Sequence, residues 1–276
     1  MTETGSILDR IVADTRDLRE RQKRDEPAAA LRDRASQYDA QFRLTDAIIS
    51  PRGHAPASAA VQIVAEIKKA SPSRGVFVAD LDYLRIARDY TLGGAAGVSI
   101  LTEPFYFQGD LAYLRDVRLE LAAGFPDARP SLLRKDFLVE PYELLQARAY
   151  GADTVLLIAA ILDEALLRDL IAEAAALDLD ALVEVHNGAE AERAVAAGAT
   201  LFGINNRDLH TFDVDLATTE RIRPLLPHDA VIIGESGVHT RADVARLHAA
   251  GVGAILVGEA FMTAPDIAAK MDELRL

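Results

Sequence analysis

From about residue 61 to the C-terminus, short apolar runs alternate with longer stretches whose apolar residues recur every three or four positions. The short runs fall at 62–68, 97–101, 131–135, 154–158, 181–185, 201–205, 231–235 and 254–257. Between them lie helical patterns such as Leu84, Ala87 and Tyr90, and the stretches 142–149, 165–176, 190–197 and 241–250. Glycine marks the passages from helix to strand at Gly93-Gly94, Gly151, Gly198 and Gly251, where a helix C-cap places it. Alternating strands and helices imply a parallel sheet. Eight such units predict closure into a (β/α)₈ barrel. A doubly wound open sheet is the alternative, but a dinucleotide binder carries G-x-G-x-x-G after its first strand. Here the first run is followed by Ser71-Pro-Ser-Arg-Gly75.

Residues 1–60 follow another pattern and read as an N-terminal helical extension of the 61–276 barrel. Ser6, with Asp9 three positions on, is a candidate helix cap. Ile7, Leu8, Ile11, Val12 and Leu18 then recur at helical spacing. The charge-rich stretch from Arg19 to Asp25 reads as a solvated face or a helix end, and Pro27 as the start of a second helix through Ala35. Residues 50–58, with two prolines and a glycine, read as a linker.

Composition narrows the function classes. Half of the 276 residues are hydrophobic, enough for a sizeable core. The absence of cysteine excludes disulfides, thiolate metal sites and a cysteine nucleophile. A net charge of −13 speaks against a nucleic-acid-binding face, so any anionic substrate needs a local cationic pocket. The N-terminus has no apolar secretory core, and the strongest apolar run, 154–162, is too short to span a bilayer. The expectation is a cytoplasmic protein with no membrane or nucleic-acid partner, a monomer or a weak homo-oligomer.

Polar residues occupy positions that a barrel interior normally gives to apolar ones. Strand side chains alternate between faces, so the first run sets Ile63, Ala65 and Ile67 against Val64, Glu66 and Lys68. With the apolar face on the helices, Glu66 and Lys68 point to the barrel axis. The same reading groups Leu133, Lys135 and Phe137; Leu182, Glu184 and His186; and Asn205 with Arg207, while the seventh run ends in Glu235 and Ser236. Each polar group sits at the C-terminal end of its strand, where barrel active sites are built. Glu235-Ser-Gly237 and Val257-Gly-Glu259 follow strands seven and eight, the usual phosphate-binding loops of this architecture, and Ser71 adds a hydroxyl after strand one.

Taken singly, these features have plainer readings. Glu66 and Lys68 alone read first as a structural ion pair. Arg207 alone reads as a partner for a nearby carboxylate, and Pro104-Phe-Tyr-Phe107 as loop packing. The histidines, His186 and His210 among them, are scattered and lack metal-ligand spacing.

Together the strings resemble the indole-3-glycerol-phosphate synthase family from about residue 6 to the end. They are Ala65-Glu-Ile-Lys-Lys-Ala-Ser-Pro-Ser-Arg-Gly75, Ser99-Ile-Leu-Thr-Glu103, Leu133-Arg-Lys-Asp-Phe137, Gly151-Ala-Asp-Thr-Val-Leu-Leu-Ile158, Leu182-Val-Glu-Val-His186, Gly203-Ile-Asn-Asn-Arg-Asp-Leu209, Glu235-Ser-Gly-Val238 and Leu256-Val-Gly-Glu259. The resemblance implies ring closure, decarboxylation and dehydration of 1-(2-carboxyphenylamino)-1-deoxyribulose 5-phosphate in tryptophan biosynthesis, without cofactor or metal. It implies a catalytic set of Glu66, Lys68, Lys135, Glu184, Asn205 and Ser236, with Lys135 as general acid at the ribulose carbonyl. It implies a substrate-binding set of Ser71, Phe137, Arg207, Glu235, Gly237, Leu256, Gly258 and Glu259. It also implies that the N-terminal segment lies over the barrel mouth. Three positions depart from the commoner pattern: Glu143 for Gln, Gly234 for Ser, and Glu259 for Ser. A Glu259 carboxylate would repel phosphate, which leaves only its backbone N–H for that role.

The chemistry leads to further expectations. Lys135 beside Lys68 should have a lowered pKa and donate its proton readily. Glu66 should stay ionised. Glu66 or Glu184 should serve dehydration, with the choice open. Phe137 and the N-terminal segment should exclude water from the aromatic ring. A phosphoribosylanthranilate isomerase is a rival reading, although that enzyme typically uses a Cys. A non-catalytic barrel binding a phosphorylated ligand is another.

Overall fold

Runs that are apolar on both faces suit parallel strands, which are covered on one side by helices and filled on the other by side chains. Eight of them form one closed parallel barrel: β1 (Gln62–Ile67), β2 (Gly97–Leu101), β3 (Ser131–Lys135), β4 (Thr154–Ile158), β5 (Asp180–Val185), β6 (Leu201–Asn205), β7 (Val231–Glu235) and β8 (Ala254–Val257). Closure comes from β1 pairing with β8, Gln62 opposite Ala254, and with β2, Glu66 opposite Ser99. The structure, a computed structural model, describes residues 7–38, 42–51, 59–72, 74–209 and 211–276. Ser6, Ser73, His210 and most of the expected linker lie outside these residues.

The connecting helices are α4 (Tyr83–Leu92), α5 (Leu111–Gly124), α6 (Pro141–Ala149), α7 (Glu164–Ala176), α8 (Gly188–Ala196), α9 (Ala217–Ile222), α10 (Arg241–Ala249), and α11 (Glu259–Met262) with α12 (Ile267–Leu274). They follow three helices of the extension, α1 (Ile7–Asp25), α2 (Ala28–Ala35) and α3 (Leu44–Ile49). Gly151 and Gly198 take positive φ of 90° and 88° after α6 and α8, a conformation that only glycine adopts without strain. No helix among the described residues is long and apolar enough to cross a membrane.

Two apolar layers result. Ile63, Ala65 and Ile67 join the outer core between strands and helices, while Val64, Leu133, Leu156, Leu182, Ile233 and Leu256 fill the barrel. Helix α3 completes the inner layer. Its Leu44 is fully buried and Ile48 nearly so, both packed into that interior cluster. Asp180 Oδ2 at the start of β5 accepts from Thr45 N at 2.8 Å, so α3 closes the end where the strands begin. The extension therefore divides: α1 reaches the mouth, and α3 plugs the opposite end. A two-stranded hairpin, Ala70–Ser71 against Gly75–Val76, follows β1; the periodicity shows neither it nor α3.

Arg19 does not lie on the expected solvated face. It is 3% exposed and pairs with Asp136 (3.0 Å) and Glu143. Asp136 Oδ2 also accepts from Arg134 NH2 (2.9 Å) and Thr102 Oγ1 (2.6 Å). Burial works against the Asp136 carboxylate, but Arg19 and Arg134 overcome it and hold its pKa at about 2. This buried network bolts α1 to the strand end that carries Lys135.

Candidate active site

The strands end around a cavity of about 210 Å³ that all fourteen residues of the implied catalytic and substrate-binding sets line. Alternation along β1, β3, β5 and β7 brings Glu66, Lys135, Glu184 and Glu235 to one rim above the apolar layer of Val64, Leu133, Leu182 and Ile233. Two small residues make room for the carboxylates. A Cβ on Gly203 would collide with Glu235 Oε1, and one on Gly258 with Glu66 Oε1. A side chain at either position would force the carboxylate to move from where it lies.

Lys135 is the centre. Its Nζ donates to Glu184 Oε2 at 2.8 Å and to Glu235 Oε2 at 2.7 Å. Burial by itself would lower the pKa of this lysine, but the carboxylates of Glu184, Glu235 and Glu66 outweigh it and hold the ammonium above its usual range. This corrects the expectation of a lowered pKa from neighbouring Lys68. Lys68 instead donates to Glu66 Oε1 at 2.6 Å, and its Nζ lies 5.5 Å from the Phe77 ring centroid.

The two carboxylates on Lys135 differ. Burial pushes both up. At Glu184 the charges of Lys135 and His186 prevail and hold it well below the usual carboxylate range. At Glu235 burial and the negative charge of Glu184 prevail over Lys135, and its pKa rises to about 7. Two carboxyls of unequal proton affinity therefore flank one ammonium.

Other groups are placed by loops. Asn205 Nδ2 donates to Glu184 Oε1 at 3.3 Å and its Oδ1 accepts from Arg207 N at 3.0 Å. The Arg207 guanidinium donates to the Phe212 carbonyl (3.0 Å), and among the described residues it pairs with no carboxylate. Ser236 has φ 63° and Gly237 φ 82°. For serine that left-handed backbone costs roughly 1–2 kcal/mol, strain of the kind that gathers at functional sites. The Glu259 carboxylate pairs with Arg74 at 2.7 Å, which answers its charge beside the loop after β8.

The apolar wall holds residues outside the two implied sets, among them side chains of the N-terminal segment expected over the mouth. Ile7, Leu8 and Ile11 of α1 line the cavity, as do Phe77 and Phe107. Phe107 lies 6.0 Å from Phe137 between ring centroids, so one aromatic of the expected packing loop belongs to the site, while Phe105 stays exposed. Among the described residues no group of three or more His, Asp or Glu is arranged to hold a metal.

Comparison with known proteins agrees with the architecture. The sequence model of the family "Indole-3-glycerol phosphate synthase" matches residues 8–274. The indole-3-glycerol phosphate synthase of Roseiflexus castenholzii is 45% identical over 98% of each chain. That of Dehalococcoides mccartyi is 43% identical over 97% of this chain and 99% of its own. Among solved structures, the 3-hexulose-6-phosphate synthase of Salmonella typhimurium superposes with a TM-score of 0.58 at 15% identity, over 78% of this chain and 96% of its own; at that identity it speaks for the fold alone. The match runs through every strand, the loops after β7 and β8 and the N-terminal helix, and on it the chain belongs to the indole-3-glycerol phosphate synthase family.

Proposed function

We infer that this chain closes the indole ring of 1-(2-carboxyphenylamino)-1-deoxyribulose 5-phosphate, releasing carbon dioxide and water. One observation carries the assignment of roles: the Lys135 ammonium held by the two carboxyls of Glu184 and Glu235 beside an aromatic wall.

The ring carbon that bears the substrate carboxylate attacks the ribulose carbonyl carbon. The carbonyl π pair moves to oxygen, which takes a proton from Lys135. An ammonium with a raised pKa keeps its proton until that oxyanion, a stronger base than an amine, develops. Carbon dioxide then leaves, returning its bonding pair to the ring. Dehydration follows: the new hydroxyl departs as water after accepting a proton, and the adjacent carbon loses one. Glu235, 2.7 Å from Lys135 and with a pKa of about 7, is suited to resupply the lysine. Glu184, held ionised, is suited to accept the carbon-bound proton. Glu66 with Lys68 forms a second acid–base pair across the cavity. Phe107, Phe137 and α1 cover the anthranilate ring, Asn205 and Arg207 meet its substituents and the sugar, and Ser71, Gly237, Gly258 and the Glu259 N–H receive the phosphate. The family's biosynthetic role supports a cytoplasmic setting and a small phosphorylated substrate.

Incubating the purified protein with the carboxyphenylamino-ribulose phosphate should generate indole fluorescence. No rise, alongside an active control synthase, overturns the reading. Lys135→Met should lower turnover by roughly 10²–10⁴-fold, the contribution of a positioned proton donor, with the far-ultraviolet circular dichroism spectrum retained.

A further inference from the structure

Behind Glu184, outside the cavity, lies a second pair of titratable groups that the reaction as described does not use. His186 follows Glu184 on the same face just beyond β5, and its side chain is 9% exposed. Its Nε2 stands 3.2 Å from Glu184 Oε1, and its Nδ1 stands 3.0 Å from Glu190 Oε2 in the first turn of α8. Glu190 is itself fixed: Oε2 accepts from His186 N at 2.8 Å and Oε1 from Asn187 Nδ2 at 2.7 Å. Asn187 caps α8, its Oδ1 accepting from Glu190 N at 3.0 Å. The ring is thus fixed through Nδ1 at a helix start, while Nε2 lies within ion-pair distance of a cavity carboxylate without a hydrogen bond to it.

We propose that His186 is a positioning residue, an imidazolium held by Glu190 whose charge keeps Glu184 ionised and oriented toward Lys135. It touches no part of the cavity and acts only through Glu184. The proposal rests on the reading of Glu184 as the ionised partner of Lys135.

The surrounding charges fit. Lys135 of β3 binds the other oxygen of Glu184, Glu235 of β7 faces it across that ammonium, and Asn205 of β6 donates to Oε1. From α8, Arg193 sends its guanidinium to the Ala159 carbonyl at 2.6 Å, leaving Glu190 as the carboxylate of that helix on the ring. Both ring nitrogens stand within ion-pair distance of carboxylate oxygens, Nδ1 in a hydrogen bond and Nε2 without one, so a positive charge on the ring is answered from both sides. Burial works against the charge, yet Glu184 and Glu190 lift the pKa of His186 to about 10. Without the cation, Glu184 keeps Lys135 and the Asn205 amide against its burial, and its pKa rises.

His186→Gln and Glu190→Gln test the device in the full-length protein. The first deletes the positive charge, and the second removes the group that sustains it. For both, the acidic limb of the kcat profile should move to higher pH, for His186→Gln by roughly 1–3 units, with KM at pH 8 changed less than about twofold. Glu190→Asp should restore much of the wild-type limb. Nitrogen-15 NMR of the imidazole should show both nitrogens protonated at pH 8 in the wild type and a lower pKa in Glu190→Gln, a readout that stands even where His186→Gln does not fold. A neutral imidazole at pH 8, or a pH-independent fall in kcat with the limb unmoved, overturns the proposal. Glu184→Gln separates the two levels. Retained turnover there defeats the underlying reading of Glu184, whereas lost turnover with an unmoved limb in His186→Gln defeats only the relay.

Discussion

Glu184 and Glu235 touch the same ammonium within 0.1 Å of the same distance, yet they hold protons differently. The cause is the remainder of each shell. Glu184 has His186 and Asn205 at its second oxygen; the second oxygen of Glu235 is buried with no hydrogen-bond partner among the described groups. Carbon-13 NMR of labelled glutamates should therefore show Glu235 titrating near pH 7 and Glu184 ionised well below pH 4.5. The linkage has a definite sign. The folded pKa of Glu235, about 7, exceeds its unfolded value of about 4.3. Its stability contribution is present below pH 4.3 and is lost as pH rises through 7. Glu235→Gln should remove that slope from a urea-unfolding series; an unchanged slope would assign it to another group. At Glu66, where the carboxylate meets Lys68 and not Lys135, Glu66→Gln should reduce kcat far more than substrate affinity. A loss confined to KM would make Glu66 a binding group only.

Among the elements, six of the eight strands coincide with the runs read from periodicity, and β1 and β5 differ by one residue at one end. Strands buried on both faces announce themselves as apolar runs, and the helices announce themselves by spacing. The misses have equally physical causes. Helix α3 is six residues long with no side-chain cap, too short to establish a period. Each strand of the hairpin after β1 has two residues. Arg19 reads as solvent-facing because its partners Asp136 and Glu143 are 117 and 124 positions away. That pairing dictates the behaviour of α1. Arg19→Met takes a cation from two buried carboxylates, leaving Asp136 with Arg134 and Thr102 and Glu143 with backbone donors alone, and should destabilise the fold by roughly 3–5 kcal/mol, as removal of one partner of a buried pair does. Combining it with Glu143→Gln should recover part of the loss. Chemical denaturation curves of the single and double variants decide, and a single variant within 1 kcal/mol of wild type would show α1 anchored by apolar contacts alone.

For the molecule as a whole, the extension sets both ends of the barrel. At the mouth α1 supplies Ile7, Leu8 and Ile11 to the cavity wall; at the far end Leu44 and Ile48 of α3 continue the inner layer. Leu44 approaches so closely that a Cβ on Gly97 would meet its Cδ1 at 2.8 Å. The apolar filling of the barrel thus runs from floor to active-site rim, and a defect in the floor should be felt as stability before it is felt as chemistry. Leu44→Ala should cost roughly 2–5 kcal/mol while KM stays within about twofold. Thermal melts and steady-state assays on the same preparation test this, and a large rise in KM at unchanged stability would contradict it.

The order of residues determined what is periodic and local: eight strands, the helices between them, the face on which each charged side chain falls, and the rim at which those faces end. Alternation of side chains and the one-way course of a parallel barrel suffice for that. Folding decided what depends on neighbours distant in the chain: that Lys135 meets two carboxylates and not a second lysine, that Glu184 and Glu235 separate in proton affinity, that Arg19 is buried, and that α3 and α1 take opposite ends. A pKa is a sum over charges and burial in space, and residues from β3, β5 and β7 enter that sum only once the barrel has closed.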